Sequence, residues 1–184
     1  MTDSPPGPSA NFDGLLNSGF GQGAWKLDPV TTAVTFAVKH LWGAITVHGS
    51  FGEFAGDGAV GDGGTISGRL VIKASSLSTK NKKRDTHLRS KDFFDVEHHG
   101  EIVVAVHAAK PMSPLSLKCT GTLEAAGYVE PIAFTATVEG LSAQSVTLRA
   151  ELIVDRSKFG MTWSPLHMSS MVAKANVVAR FVPA

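Results

Sequence analysis

The chain has a single cysteine, Cys119, so it forms no internal disulfide and must be held together by packing and hydrogen bonds. No apolar run reaches the roughly 18 residues that a membrane-crossing helix needs, so no integral membrane segment is expected. The first 24 residues contain neither Lys nor Arg and no apolar block of signal-peptide length. Cytoplasmic residence is the expectation, and a solitary thiol agrees with a reducing compartment. Net charge is only +1, so no global excess of either sign points to nucleic acid or to anionic surfaces. Aromatic residues other than Phe are scarce, with three Trp and one Tyr. None is interleaved with the main basic run as base stacking would require, and no nucleic-acid partner is expected.

Motifs that carry chemistry are missing as well. His40, His48, His87, His98, His99, His107 and His167 include no H-x-x-x-H pair on a helix, and no cysteine stands at zinc spacing, so no metal site is expected. There is no G-x-S-x-G elbow. Asp92 and Asp95 lie beside basic residues in a surface-like segment, where nothing raises a carboxyl pKa for general acid work. The glycine-rich stretch 56–64 lacks the Lys-Ser or Lys-Thr of a phosphate-binding loop and reads as a hairpin turn. No cofactor is implied.

What is present is alternation. After a Pro-, Gly- and Ser-rich arm over residues 1–24, the apolar period is two through a single domain at 25–184. In the arm only Phe12, Leu15, Leu16 and Phe20 follow helical spacing. Val34, Phe36 and Val38 alternate with small or polar neighbours, and the pattern returns at Ile66 to Ile72, Ile102 to Val106 and Leu117 to Leu123. It continues at Ile132 to Val138, Val146 to Leu152 and Val177 to Phe181, with Gly127 and Gly140 marking hairpins. About eight antiparallel strands, each with one apolar face, must stack as a sandwich or close on themselves. Small inward residues (Gly49, Gly68, Gly121, Ala136, Ala150 and Ala179) favour a closed β-barrel around unfilled volume, the alternative being a tapered barrel end.

Residues 76–96 interrupt this pattern. Thr79 or Asn81 is suited to N-cap a short helix over a stretch free of Gly and Pro. Leu88, Phe93 and Phe94 would dock it, with Lys80, Lys82, Lys83, Arg84, Arg89 and Lys91 facing water or rimming a cavity mouth. The string Arg84-Asp85-x-His87-Leu88, closed by Asp92-Phe93-Phe94-Asp95-Val96, resembles the central signature of the YceI family. Trp25-x-Leu27-Asp28-Pro29-Val30, Val34-x-Phe36-x-Val38-Lys39-His40-Leu41, Val47-x-Gly49-x-Phe51 and Asp155-Arg156-Ser157-x-Phe159-Gly160 follow in the family's order. Departures occur at Thr31-Thr32, at His98-His99-Gly100 and at 126–130, and they leave the ligand open.

The resemblance implies an all-β, antiparallel closed barrel of lipocalin-like type with a helical excursion at 76–96. It also implies an isoprenoid ligand, a polyprenyl phosphate or a quinone side chain. Alternation then nominates Phe36, Val38, Phe51, Leu70, Ile72, Val104, Val106, Phe134, Val138, Leu148 and Leu152 as lining residues, with Leu88, Phe93, Phe94 and Phe159 at the ends. Arg84, Asp85 and His87 are expected to form a structural cluster, Asp85 accepting from Arg84 or His87. The Met-rich connection 155–174 serves as a lid, a plug or the contact of a homodimer. Two competing functions stay open: an enzyme using His40, His87 or Asp85 as acid or base, and a self-associating barrel with incidental lipid.

Overall fold

The computed structural model describes residues 21–142 and 144–184, so nearly all of the arm expected at 1–24 lies outside the described residues. Eleven strand segments, β1 (Gly23–Leu27), β2 (Ala33–His40), β3 (Ile45–Phe51), β4 (Phe54–Val60), β5 (Ile66–Lys73), β6 (Leu77–Ser78), β7 (Glu101–Ser113), β8 (Ser116–Ala125), β9 (Tyr128–Ser142), β10 (Ser145–Asp155) and β11 (Ser169–Pro183), form one antiparallel sheet. Among the described residues the one α-helix, α1, is Lys82–Arg89. The order β1-β4-β5-β7-β8-β9-β10-β11 closes through β1 on β11, from Trp25 opposite Pro183 to Leu27 opposite Phe181. The result is an eight-stranded closed barrel. Past a bend, β2, β3 and β6 continue the lines of β1, β4 and β5, with β2 running on along the same β11.

Inward alternation fills the interior with two apolar clusters. The larger gathers Leu27, Val34, Phe51, Leu70, Ile72 and Leu77 with Phe159 and Met161. The smaller centres on Ala109, Leu117, Cys119, Ala136 and Val138. Burial pushes the Cys119 thiol up to about 11, which makes it a packing residue with little thiolate at neutral pH. Two inward glycines do something other than leave space. A Cβ on Gly121 would stand 1.8 Å from the carbonyl oxygen of Ala105, and one on Gly49 would stand 2.2 Å from the Phe36 ring. Glycine at 121 lets two strands approach across the β-bulge between Val106 and Ala108.

Two turn assignments need correction. The turn in 56–64 is confined to its end, where the Gly61 N–H donates to Thr65 O at 2.8 Å, and Gly56 and Gly58 lie within β4. Gly140 likewise lies within β9, beside the register shift at Thr147 and Leu148, and the β9–β10 pairing runs up to Ser142 opposite Ser145. The hairpin at Gly127 is where the alternation puts it, between β8 and β9.

The excursion at 76–96 holds α1. Asn81 is its N-cap, the side-chain oxygen accepting from Arg84 N at 3.1 Å, an interaction worth about 1 kcal/mol. Leu88, Phe93 and Phe94 pack against the larger cluster. Lys80, Lys82, Lys83 and Lys91 are exposed, but two of the expected surface cations turn inward. Arg89 donates to the carbonyls of Ser75 (2.9 Å) and Leu77 (2.6 Å), and Arg84 donates to Thr79 Oγ1 (2.7 Å) and Thr79 O (3.1 Å).

The expected cluster of Arg84, Asp85 and His87 is wired differently. Buried Asp85 accepts from Thr79 N at 2.9 Å and Thr79 Oγ1 at 2.5 Å, not from Arg84 or His87. Thr79 is the hub because it is buried directly after β6 and has no strand partner for its N–H. The second long connection is also shorter than the sequence suggests. It spans 156–168, because β11 begins at Ser169 and takes Met171 into the sheet.

Candidate ligand cavity

Two chambers lie end to end along the barrel. The larger, about 570 Å³, sits at the end closed by α1 and the 156–168 connection. The smaller, about 180 Å³, occupies the opposite end, and Val104, Leu152 and Val177 line both. The larger lies within the size range of small-molecule sites. Of the nominated residues, Phe36, Val38, Phe51 and Ile72 line the larger chamber from the wall, and Leu88, Phe93, Phe94 and Phe159 close its end. Leu70, Val106, Phe134 and Leu148 line the smaller. Val138 lines neither, a correction to the alternation-based set. It is 4% exposed and clusters with Leu117, Cys119 and Ala136, which do line the smaller chamber, so it is buried among that chamber's wall residues without facing the space itself.

Charge is concentrated at one end, with Arg69 and Ser67 the polar contribution to the smaller chamber's lining. Lys83, Arg84, Arg156, His40 and His87 line the larger chamber together with Asn81, Thr35 and Ser169, and no carboxylate is among its lining residues. Arg156 is the deepest of the Lys and Arg side chains in this lining, 6% exposed. Its guanidinium donates to the carbonyls of Ser170 (2.8 Å), Met161 and Trp163 (3.1 Å), and it lies 5.5 Å from the centroid of the Phe93 ring. Burial lowers its pKa, partly offset by neighbouring Asp155, and Arg156 enters none of the ion pairs among the described residues. A buried cation held by neutral carbonyls retains unspent positive charge at the cavity wall.

The string around Arg156 builds this arrangement locally. Asp155 accepts from Ser157 N (3.0 Å) and Ser157 Oγ (2.6 Å), which lowers its carboxyl pKa and starts a short 3-10 turn. That turn sends Phe159 into the core and Arg156 across to the returning chain. Sequence reading missed Arg156 as a site residue. Its signal was a cation placed directly after the apolar end of β10, three residues before buried Phe159.

His87 belongs to the end wall. Its Nε2 is 2.9 Å from Asp92 Oδ2, and its ring meets Phe93 and Trp163 edge-on at 5.2 and 4.4 Å. His40 Nδ1 is 2.6 Å from Ser169 Oγ, a pairing the sequence did not reveal because 129 positions separate the two. Among the described residues no carboxylate contacts the other nitrogen of His40, so this pair has no third group to orient it. Asp85 does not line either chamber, and both of the bonds it accepts come from Thr79. Among the described residues no group of three or more His, Cys, Asp or Glu could hold a metal ion.

Comparison with known proteins places this architecture. The UPF0312 protein of Pseudomonas savastanoi pv. phaseolicola is 35% identical over 111 residues, 58% of this chain and 56% of that protein, so the match spans little more than half the relative's length. Burkholderia cenocepacia BcnA superposes with a TM-score of 0.76 at 18% identity, covering 84% of this chain and 98% of that one. A polyisoprenoid binding domain from Saccharophagus degradans gives 0.71 at 16% identity, covering 87% and 98%. Both structures share the barrel fold. The model of the YceI-like domain matches residues 25–181, and the chain belongs to the YceI family.

Proposed function

We propose that this barrel binds a long isoprenoid or related apolar lipid for transport, storage or sequestration, with the tail in the two chambers and a polar or anionic end against Arg84, Lys83 and Arg156. The observation that carries this reading is the concentration of Lys83, Arg84 and Arg156 at one end of a largely apolar interior, in a lining that contains no carboxylate. The Saccharophagus degradans domain, a polyisoprenoid binding domain of the same fold, supports the choice of tail. Each buried methylene contributes about 0.8 kcal/mol, so a five-carbon unit gives roughly 3–4 kcal/mol before ordering costs. A few units suffice for tight binding. The cationic end favours a polyprenyl phosphate over a neutral quinone, because a charge-assisted hydrogen bond in a dry site is about twice as strong as a neutral one.

The test is mass spectrometry of an organic extract of the folded protein, with native mass spectrometry of the intact complex. A stoichiometric isoprenoid is expected. A protein that is empty as purified and stays empty after incubation with polyprenyl phosphates, polyprenols, quinones and fatty acids would overturn the reading.

A further inference from the structure

Two turns beside the larger chamber combine backbone strain with outward-facing apolar residues. Leu41 and Trp42 have φ of 50° and 53°, and Leu166 and His167 have φ of 52° and 54°, a left-handed conformation costly for residues of this size. In the first turn Gly43 N bonds His40 O at 3.1 Å, a geometry for which Asn-Gly is the usual choice at positions 41 and 42. Here the strain holds apolar side chains in water. Trp42 is 72% exposed and Leu166 is 77% exposed. The Trp42 N–H donates to Met168 O at 3.3 Å, which fastens the two turns into one knuckle.

The knuckle borders a basic groove on the outer face of β2, β3 and β11. Lys39, His48, Lys80, Arg84 and Lys174 line this groove together with half-exposed Ile45 and Val172, and no carboxylate is among its lining residues. Among the described residues Glu151, paired with Lys174 at 3.3 Å, is the one acidic neighbour that an ion pair brings to it. The stem of Lys39 runs beside the turn, 3.9 Å from where a Cβ on Gly43 would stand. Thr35, Phe36, Val47 and Arg84 line both this groove and the larger chamber, so a single layer of residues separates them. That layer lies where β3, paired to β6 only through Ser50 and Phe51, leaves the 45–49 edge without a strand partner on that side.

We infer that this face docks on a lipid bilayer carrying anionic headgroups, with Trp42 and Leu166 entering the interface and the basic groove lying against the phosphates. No helix among the described residues is long and apolar enough to cross a membrane, and the contact inferred here is a peripheral one made by the two turns and the groove. An exposed Trp and an exposed Leu beside a basic groove are the residue types that hold a surface at the headgroup boundary, and charge complementarity selects an anionic bilayer over a second copy of this equally basic face. Docking sets the unpaired β3 edge against the membrane, so a tail can pass from bilayer to chamber without crossing water. The docking itself does not depend on which lipid the cavity holds.

The experiment is flotation of the purified protein with vesicles of phosphatidylcholine alone and of phosphatidylcholine mixed with phosphatidylglycerol. Partition onto the anionic vesicles, weakened by added salt, is expected. The variant L41N/W42G replaces the strained pair with the residues the turn prefers, so it should fold with an unchanged or higher melting midpoint. It should also lose vesicle partition by about tenfold or more. Leu166→Ser should lose it in part. Absence of binding to anionic vesicles, or binding undiminished in L41N/W42G, would overturn the inference. So would a dimer in analytical ultracentrifugation that L41N/W42G abolishes while vesicles are ignored. A lipid-free protein that still floats with vesicles separates this inference from the ligand proposal.

Discussion

Replacing Arg156 by Met removes the buried charge while keeping an unbranched apolar stem, and the structure sets two magnitudes for it. The first concerns stability. Three hydrogen bonds from a charged donor to the carbonyls of Ser170, Met161 and Trp163 carry about 1.5–3 kcal/mol each, a gross loss of roughly 5–9 kcal/mol. Relief of the guanidinium's desolvation returns several kcal/mol, so a net destabilisation of about 2–4 kcal/mol is expected in urea unfolding. Arg156→Lys keeps the charge but cannot reach three divergent carbonyls, and it should recover only part of the loss.

The second magnitude concerns the ligand. If Arg156 and Arg84 receive an anionic end, the intact protein should prefer a polyprenyl phosphate over the polyprenol of equal length by about 10–150-fold, the equivalent of 1.5–3 kcal/mol. Arg156→Met should shrink that ratio while leaving polyprenol affinity within a few-fold. The ratio is informative even in a weakened fold, because loss of folded protein scales both affinities together. Equal affinity of the intact protein for phosphate and alcohol would refute the assignment of this end to an anion. A ratio unchanged in the variant would refute the role of Arg156.

Three further outcomes follow from particular contacts. Gly121→Ala places a methyl group 1.8 Å from a backbone oxygen that no rotamer change can move, so a loss of about 1–3 kcal/mol or more is expected by thermal denaturation; an unchanged midpoint would show that the β7 bulge is not needed. Ala150→Leu fills part of the smaller chamber and should shift the bound isoprenoid towards shorter chains in native mass spectrometry, which an unchanged length distribution would contradict. The His98 pKa is raised by its hydrogen bond to Asp95, 2.9 Å away, and by that carboxylate's charge. The small stabilisation it brings is therefore present at low pH and lost as pH rises through the folded-state pKa. Titration of the His98 ring by NMR should show Asp95→Asn moving the midpoint down, and a stationary midpoint would assign the shift to another cause.

The barrel was legible because its signal is repeated. Seven separate runs of period-two alternation point the same way, and a single misjudged residue alters none of them. Helix α1 was legible from Asn81 and an uninterrupted helix-forming stretch. The site was legible in its wall and not in its polar end. Phe36, Val104 or Leu152 announce an inward face through neighbours one and two positions away. The pairing of His40 with Ser169, the clamp of Arg156 on Ser170 and the hub at Thr79 depend instead on which distant segments meet. Val138 fails for a related reason. Alternation tells inward from outward, but it cannot tell an inward residue that faces the open chamber from one buried among its inward neighbours.

The bends explain why the opening lies where it does. They fall in register across three neighbouring strand lines: between Leu27 and Ala33, between Phe51 and Phe54, and between Lys73 and Leu77, with Val34 opposite Phe51 and Phe51 opposite Leu77. Single side chains hold them. Ser76 Oγ accepts from Gly52 N (3.2 Å) and Glu53 N (3.1 Å) while donating to Lys73 O (2.7 Å), and Thr32 Oγ1 accepts from Arg180 N at 3.1 Å. Before its bend, β5 pairs with β7 down to Lys73 opposite Glu101. After it, the chain leaves β7 and follows β3 for only two residues. The sheet is then unpaired on both sides of the gap, and 22 residues between Ser78 and Glu101 must cover it. A helix satisfies its own backbone groups and can span such a gap without donating to either edge. That freedom is why α1 can bring Lys83 and Arg84 to the cavity wall, and why the barrel keeps a thin side next to its basic groove.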